Sequence, residues 1–190
     1  MAGVSKVAVL VGSLRKGSFT RQAARALAAV APASLALDFV EIGALPLYNQ
    51  DLDEGAPPQA WTTFRDAIRP KDAVLFATPE YNRSVPGVLK NAIDVGSRPF
   101  GKSVWDGKPA AIISVSPGAI GAFGANHHLR QSLVFLNMPA MQQPEAYVGH
   151  AADLFTEAGE LKSDGTRQFF SAFMAAFAAW IEKVGIGGPV

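Results

Sequence analysis

The residues of this sequence that could do chemistry lie in three short segments rich in glycine, proline and hydroxyl side chains. Each segment directly follows an apolar run: residues 12–20 follow 7–11, residues 79–87 follow 73–77, and residues 116–124 follow 110–115. The 190 residues include no cysteine, which excludes thiolate nucleophiles, disulfides and cysteine-ligated metal centres. The chemistry these segments can offer is therefore ligand binding by backbone amides, hydroxyls and a few charged groups.

The first segment has the composition of a phosphate-binding turn. Ser13, Ser18 and Thr20 place hydroxyls beside the amides of a predicted helix start, where unpaired N–H groups and the helix dipole favour an anion. Arg15 adds a guanidinium. The alternative is a capped strand-to-helix turn whose hydroxyls are incidental.

This segment differs from an ATP-binding P-loop. Gly12 and Gly17 have the P-loop spacing, but Ser18 stands where that motif requires lysine, and Phe19 where it requires serine or threonine. Hydrolysis of a nucleoside triphosphate is therefore poorly supported, and a monophosphate ligand fits better.

The second and third segments are loops suited to a flat ligand. Two prolines, an asparagine and a glycine stop the strand before residue 79 and delay the next helix to about Pro86, which leaves Tyr81 and Asn82 exposed. The glycines of residues 116–124 allow a close backbone approach. Alone, each loop is also compatible with a simple connection. Together with a phosphate site, they predict a site for flavin mononucleotide (FMN).

Apolar runs and helix-forming stretches alternate along the chain. Predicted strands cover residues 7–11, 35–41, 73–77, 110–115 and a stretch between 141 and 148. Predicted helices cover residues 19–31, 59–69, 86–96, 126–137 and 165–184. Residues 43–58 are predicted to form a long loop, and residues 185–190 a frayed, flexible tail.

This alternation predicts the fold class and the position of the site. Strands that alternate with helices indicate an α/β doubly wound parallel sheet with helices on both faces. Five strands in one domain, residues 1–190, fit the strand order 2-1-3-4-5. In that order the loops after strands one and three leave in opposite directions, and the crevice between them binds ligands. The first segment, here called the phosphate loop (residues 12–20), and the second, here called the ring loop (residues 79–87), border this crevice.

The charge balance excludes some classes of partner. Lys and Arg total 17 and Asp and Glu total 16, so neither nucleic acid nor an anionic membrane is an expected partner. The N-terminal residues lack the apolar core of a signal peptide. A cytoplasmic location is the resulting expectation.

Three motifs carry a resemblance to a known family: GSLRKGSF at 12–19, TPEYN at 78–82 and PGVLKNAID at 86–94. Together they resemble the NADPH-dependent FMN reductase family, and within it the bacterial NAD(P)H quinone and chromate reductases, which have a flavodoxin-like fold. The similarity extends from the first strand through HLRQ at 128–131 and Pro144-Glu145, so it covers most of the chain.

The resemblance implies noncovalent FMN, with NAD(P)H as co-substrate. The implied phosphate contacts are Ser13, Arg15, Ser18, Phe19 and Thr20. The implied contacts along the isoalloxazine edge are Pro79, Glu80, Tyr81 and Asn82, and those beneath the ring are Ser116, Pro117 and Gly118. The family also implies a homodimer or homotetramer in which a neighbouring subunit covers the flavin.

Four residues depart from the family pattern. Arg83 stands where relatives often have an aromatic or small residue, Val95 replaces a frequent tryptophan, Ala122 interrupts a glycine pair, and His127 replaces a common tyrosine. These positions bear on substrate preference and subunit contacts more than on FMN binding.

The predicted activity is that of an NAD(P)H-dependent quinone reductase. With FMN bound, hydride would be expected to pass from NAD(P)H to the flavin and from there to a quinone bound at the same place. Chromate, azo compounds and free flavin are the other acceptors that the resemblance suggests. The cofactor carries this chemistry, so no catalytic side chain is expected. Arg83 and Arg98 are candidate contacts for an anionic group of the dinucleotide or acceptor, and the alternative is that they are ordinary surface arginines.

Two other classes of function stay open at this point. One is a flavodoxin-type electron carrier without pyridine-nucleotide activity, although such carriers dock by charge and this chain is nearly neutral. The other is a nucleotide-binding regulatory module without flavin.

Three further patterns suggest structure more than chemistry. His127 and His128 are adjacent and diverge on a helix, so no metal site is expected. The acidic residues Asp51, Asp53 and Glu54 are expected in a solvated loop. An aromatic stripe at helical spacing predicts core packing or, less commonly, an oligomer face; it comprises Phe169, Phe170, Phe173, Met174, Phe177 and Trp180.

Overall fold

Five parallel strands form one sheet in the order β2-β1-β3-β4-β5, as the sequence predicts. A computed structural model describes residues 3–185. Its strands are β1 Ser5–Val11, β2 Leu35–Phe39, β3 Ala73–Thr78, β4 Ala110–Val115 and β5 Ala146–Val148. Its helices are α1 Phe19–Ala29, α2 Gln50–Glu54, α3 Gln59–Ile68, α4 Gly87–Gly96, α5 Phe123–Phe135, α6 Ala151–Leu154 and α7 Asp164–Gly185.

Two hydrophobic cores sandwich the sheet because the central strands are apolar on both faces. In β1, Val7 and Val9 face the core under α1 and α7, whereas Ala8 and Leu10 face the core under α3, α4 and α5. All residues of β3 and β4 are buried, while the edge strand β2 alternates between buried and exposed positions. This alternation is expected where only one face of a strand is covered.

The aromatic stripe of α7 lies mainly in the core, as predicted. Phe170, Phe173, Met174 and Phe177 are buried. Phe169 remains partly exposed, and the Trp180 indole donates a hydrogen bond to the Pro139 carbonyl at 2.9 Å. Gly185 ends α7 instead of beginning a tail. The rest of the predicted tail lies outside the described residues.

The predicted elements differ from the structure at two short helices and at the start of α5. The short helices α2 and α6 were not predicted, because four or five residues give too little periodicity to detect. Helix α5 begins three residues before its predicted start, after a left-handed residue at Ala122. No helix within residues 3–185 is long and apolar enough to cross a membrane.

The prediction of a solvated acidic loop is wrong for Asp53. Its side chain is 3% exposed and forms an ion pair with Arg65, whose side chain is 6% exposed. The distances are 2.8 Å from Nη1 to Oδ1 and 2.9 Å from Nη2 to Oδ2. Helix α2 is therefore held against α3, and residues 43–58 are not simply a loop; Asp51 and Glu54 on the same helix are exposed, as predicted.

Candidate functional site

The first two predicted loops meet at the carboxyl edge of the sheet. The Gly12 amide donates a hydrogen bond to the Ala77 carbonyl at 2.8 Å. A Cβ at Gly12 would lie 3.1 Å from Leu89 Cδ2 and 3.2 Å from Pro79 Cδ, tighter than most real Cβ contacts. Glycine thus lets the phosphate loop pass directly against the ring loop and the first turn of α4.

The phosphate loop presents buried hydroxyls at the start of α1. Ser13, Ser18 and Thr20 are buried, whereas Arg15 is exposed. Ser18 Oγ accepts a hydrogen bond from the Arg21 amide at 3.1 Å and is the N-cap of α1. Amides in the first turn of a helix have no partner inside the helix. These features fit a phosphate group held by backbone N–H groups.

The ring loop contains a two-residue hairpin at its tip. Tyr81 and Ser84 exchange backbone hydrogen bonds of 3.1 and 3.0 Å, while Asn82 and Arg83 have φ values of 50° and 64°. Left-handed φ at both central residues suits a tight hairpin, but it strains a side chain such as that of Arg83. The hairpin leaves the Tyr81 ring 52% exposed, as the sequence predicts.

Glu80 points away from the open edge of the ring loop. Its Oε2 accepts a hydrogen bond from the Ala125 amide in α5 at 3.0 Å, and its Oε1 lies 3.4 Å from Arg83 Nη1. The carboxylate is therefore engaged with protein groups, so Glu80 is left to contact a ring through its backbone.

The third loop is pressed against the end of β5. Ser114 Oγ donates a hydrogen bond to the Gly121 carbonyl at 2.7 Å, and the Ser116 amide donates to the Val148 carbonyl at 2.9 Å. Ser116 Oγ accepts a hydrogen bond from the Gly118 amide at 2.9 Å. Pro117 and Gly118 are exposed beyond this anchor. The loop is thus fixed at its base and presents its backbone at the same sheet edge.

The two candidate arginines occupy different surroundings. Arg98 lines a groove of about 540 Å³ between α4 and α5, together with Lys90 and His128. Arg83 is 76% exposed beside Glu80. The structure thus places Arg98 in a cavity and Arg83 on the ring loop.

Sequence reasoning missed Asn91 as a residue that shapes this edge. Its Oδ1 accepts a hydrogen bond from the Tyr48 amide at 2.8 Å, and its Nδ2 donates to the Pro46 carbonyl at 3.0 Å. Because Asn91 is buried in α4, it fixes the segment after β2 against that helix. An asparagine on the buried face of an apolar helix was the one signal that could have indicated this role.

The two adjacent histidines diverge, as predicted. His128 Nδ1 lies 3.0 Å from Ser84 Oγ, and His127 Nε2 lies 2.9 Å from Tyr147 Oη. Residues 3–185 contain no group of three His, Asp or Glu side chains placed to hold a metal ion.

Tyr147 lies between His127 and Glu145 on the α5–β5 surface. Its hydroxyl donates to Glu145 Oε1 at 2.7 Å, which leaves the Tyr147 oxygen to accept from His127 Nε2–H. Burial, together with the hydrogen bond to Glu145 and its charge, raises the pKa of Tyr147 to about 12. The protonated phenol is the form that stabilises the folded protein.

We expect this phenol to give a pH dependence above neutrality. Its stabilisation is complete below the ordinary pKa near 10 and is lost as pH rises through about 12. Tyr147→Phe should therefore be less stable than wild type at pH 8, and the difference should shrink between pH 10 and 12. Denaturant unfolding of both proteins at several pH values measures this difference. If the difference in the free energy of unfolding between wild type and Tyr147→Phe stayed constant from pH 8 to 12, the raised pKa of Tyr147 would be contradicted.

The strand order and the helices on both faces define a doubly wound, flavodoxin-like fold, and the three loops lie at the carboxyl edge of its sheet, where doubly wound folds commonly bind ligands. The model of the NADPH-dependent FMN reductase family matches residues 5–153. This protein therefore belongs to the NADPH-dependent FMN reductase family.

Individual relatives agree with this assignment. The chain is 65% identical over 182 residues to a quinone reductase of Pseudomonas putida, covering 96% of this chain and 97% of the relative. It is 50% identical to a 2-hydroxy-1,4-benzoquinone reductase of a Burkholderia species, covering 93% and 96%. Among solved structures, the flavoenzyme FerB, an NAD(P)H:(acceptor) oxidoreductase from Paracoccus denitrificans, superposes with a TM-score of 0.89 at 44% identity, covering 95% and 99%.

These similarities confirm the predicted family, fold and enzyme class. The protein is a flavodoxin-like oxidoreductase of a family that uses FMN and NAD(P)H. They favour the reductase over the electron-carrier alternative. The individual ligand contacts predicted from the sequence stay predictions.

Proposed function

We propose that this protein is an NAD(P)H:quinone reductase that binds FMN in the crevice between the β1, β3 and β4 loops. The observation that carries the proposal is the direct contact of the phosphate loop with the ring loop, where Gly12 packs against Pro79 and Leu89. One end of this crevice offers helix amides for a phosphate. The other offers two loops whose backbone can face a planar ring.

The residues of the phosphate loop would hold the anion with several different groups. Ser18 caps α1, which keeps the helix start in place, and the amides of Phe19 and Thr20 follow it in the first turn. Ser13, near the start of the loop, supplies a further buried hydroxyl. The exposed guanidinium of Arg15 can close over a bound phosphate.

The ring would lie along the backbone of Pro79, Glu80, Tyr81 and Asn82, above Ser116, Pro117 and Gly118. When bound, FMN supplies the hydride chemistry. The chain orients the ring through two stiffened loops and presents Tyr81 at the open face. Hydride transfer needs no protein nucleophile, which agrees with a sequence that lacks cysteine.

The decisive experiment is the visible spectrum of the purified protein reconstituted with FMN, followed by anaerobic addition of NADH or NADPH. We expect a bound flavin spectrum that bleaches with pyridine nucleotide and returns when a quinone is added. Reduction only by a separate reductase would point to an electron carrier. A protein that leaves excess FMN unbound would overturn the proposal.

We expect Arg83→Ala to raise the KM for NAD(P)H about three- to tenfold, the range for an exposed, charge-assisted hydrogen bond. Arg83→Gly should raise the KM equally while increasing thermal stability, because glycine relieves the left-handed φ of 64°. Steady-state kinetics and thermal unfolding measure the two effects. If neither variant changes the KM, Arg83 is an ordinary surface residue. Arg98→Ala tests the second arginine in the same assay.

Quinones are the proposed acceptors, since the named activities of the Pseudomonas and Burkholderia relatives are quinone reductions. Chromate, azo compounds and free flavin are secondary candidates. We also propose a cytoplasmic location, where reduced nicotinamide cofactors are available, and neither nucleic acid nor membrane as a partner. Parallel assays of the acceptors with one NADH stock rank them directly.

We propose that the protein forms a homodimer or homotetramer through the α4–α5 face. Phe100, Val134 and Phe135 are 87%, 80% and 79% exposed, and Phe135 lines the groove that contains Arg98. Adjacent large apolar side chains that are exposed, such as Val134 and Phe135 of α5, favour a protein interface. Sedimentation velocity measures the assembly and distinguishes dimer from tetramer.

A further inference from the structure

We propose that Glu80 is a positioning residue whose carboxylate joins the ring loop to the first turn of α5. The bond formed by Glu80 and Ala125, here called the Glu80 bridge, would set the distance between two of the three loops around FMN. This inference rests on the proposed function, because it assigns to the bridge a role in FMN affinity.

The first line of support is that α5 takes its N-terminal cap from outside the helix. Its N-cap residue, Ala122, has a left-handed φ of 59° and makes no side-chain cap hydrogen bond, and the first turn contains no acidic residue. Glu80, 45 positions earlier in the chain, accepts from the Ala125 amide at 3.0 Å. A carboxylate near a helix N-terminus is favoured by both the free amides and the helix dipole.

The second line of support is the close approach of the two elements at Gly124. A Cβ at this position would lie 2.8 Å from the Arg83 carbonyl oxygen and 3.0 Å from Glu80 Oε2. Real Cβ atoms essentially never come as close as the first of these distances. The first turn of α5 and the ring loop are therefore in contact along a stretch that tolerates no side chain.

The Glu80 bridge is largely shielded from water. The Glu80 side chain is 12% exposed, whereas its other partner, Arg83, is 76% exposed and lies 3.4 Å away. The bond to Ala125 is thus the shorter and more shielded of the two contacts. Partial burial strengthens a charge-assisted hydrogen bond relative to one in water.

The expected consequence is preorganisation of the site. A bridge between two loops restricts their relative motion before the ligand arrives. Less conformational entropy is then lost on binding, and the affinity for the ligand is higher. Loss of the bridge should weaken FMN binding more than the loss of a helix cap located away from the proposed site. The conservative variant Glu80→Gln keeps an acceptor oxygen at this position, so it should recover most of the affinity.

The test compares Glu80→Ala, Glu80→Gln and Ser163→Ala with wild type. Ser163 Oγ accepts from the Thr166 amide at 3.4 Å at the start of α7, so its loss removes a helix cap, weaker than that of Glu80, on a helix away from the proposed site. We expect Glu80→Ala to raise the FMN Kd about tenfold at 25 °C, a change of about 1.4 kcal/mol. Glu80→Gln should stay within about threefold of wild type, and Ser163→Ala should leave the Kd unchanged.

A second measurement follows the Glu80 bridge without FMN. Hydrogen exchange of the Ala125 amide in the FMN-free protein should accelerate in Glu80→Ala and not in Ser163→Ala. Unchanged exchange, or a Glu80→Ala protein that binds FMN as tightly as wild type, overturns the inference alone. A wild-type protein that fails to bind FMN overturns the proposed function and this inference with it.

Discussion

Replacement of Gly121 by valine is expected to abolish FMN binding and to lower the free energy of unfolding by about 2–5 kcal/mol, the sum of left-handed strain and overpacking. Gly121 has φ +59°, and a Cβ there would lie 2.6 Å from the Tyr147 carbonyl carbon and 2.8 Å from the Val148 amide nitrogen. Both neighbours are backbone atoms of β5, which cannot move without breaking strand pairing.

The effect on the ligand follows from the position of Gly121 at the base of the third loop. Its carbonyl accepts from Ser114 Oγ at 2.7 Å, and this bond must break if the chain shifts. Displacement would carry Pro117 and Gly118 away from the ring. We therefore expect a protein that still folds at low temperature and yet takes up no FMN.

Flavin fluorescence titration and denaturant unfolding measure the two effects of Gly121→Val. The matched control is Gly165→Ala in α7, where a new Cβ meets only Ser163 Oγ at an ordinary 3.5 Å. This control should gain about 0.4–1 kcal/mol, because alanine restricts the unfolded chain more than glycine does, and it should keep FMN. Full FMN affinity in Gly121→Val would show that the third loop does not contribute to the site.

Replacement of Asp53 by alanine is expected to lower the free energy of unfolding by about 3–5 kcal/mol, the usual effect of removing one partner of a buried ion pair. The Arg65 guanidinium would remain 6% exposed without its carboxylate. Its Nε would still donate to the Val95 carbonyl at 2.9 Å. Its guanidinium would also still lie 5.9 Å from the centre of the Trp61 ring. These two contacts do not replace the lost carboxylate.

The control for Asp53→Ala replaces both partners at once. The double variant Asp53→Leu with Arg65→Met removes the unpaired charge and should recover most of the lost stability, because apolar pairs of similar volume often substitute for buried ion pairs. Urea unfolding at pH 7 compares the three proteins. An Asp53→Ala protein within about 1 kcal/mol of wild type would contradict a tightly buried pair.

The pKa of Tyr48 reports locally on the loss of Asp53 from the Asp53–Arg65 ion pair. Burial, and to a smaller extent the charge of Asp53 and its hydrogen bond at 3.3 Å, raises the pKa of the Tyr48 phenol above its ordinary value. Loss of Asp53 should lower this pKa. Ultraviolet titration of the tyrosines detects the shift if α2 stays in place.

The elements that sequence reasoning predicted well are those with strong local signals. Strand β4 was predicted with its observed bounds, Ala110–Val115, because a continuous apolar run between turn residues is typical of a strand buried on both faces. The ring loop was predicted from its prolines. The parallel topology follows from the alternation of strands and helices, and it is enough to place three distant loops at one edge of the sheet.

The elements that were missed depend on residues far apart in sequence. The sequence shows Asp53 as one of several acidic residues in a polar segment, and only folding places it 2.8 Å from Arg65. It shows Glu80 beside Tyr81, with no sign that the carboxylate turns toward an amide 45 residues later. Asn91 likewise appears as one polar residue in a helix, whereas the structure shows it fixing the segment after β2.

The sequence alone thus determined the class of fold, and it predicted the edge of the sheet where a ligand binds and the kind of ligand expected there. Local propensity, periodicity and turn chemistry act over a few neighbouring residues, so they can be read directly from the amino-acid sequence. The tertiary structure alone decided which polar side chains are buried and which partners they meet. Such pairings depend on the approach of segments that are 12 to 45 residues apart in the chain. Burial there makes each hydrogen bond stronger and each unpaired charge costlier.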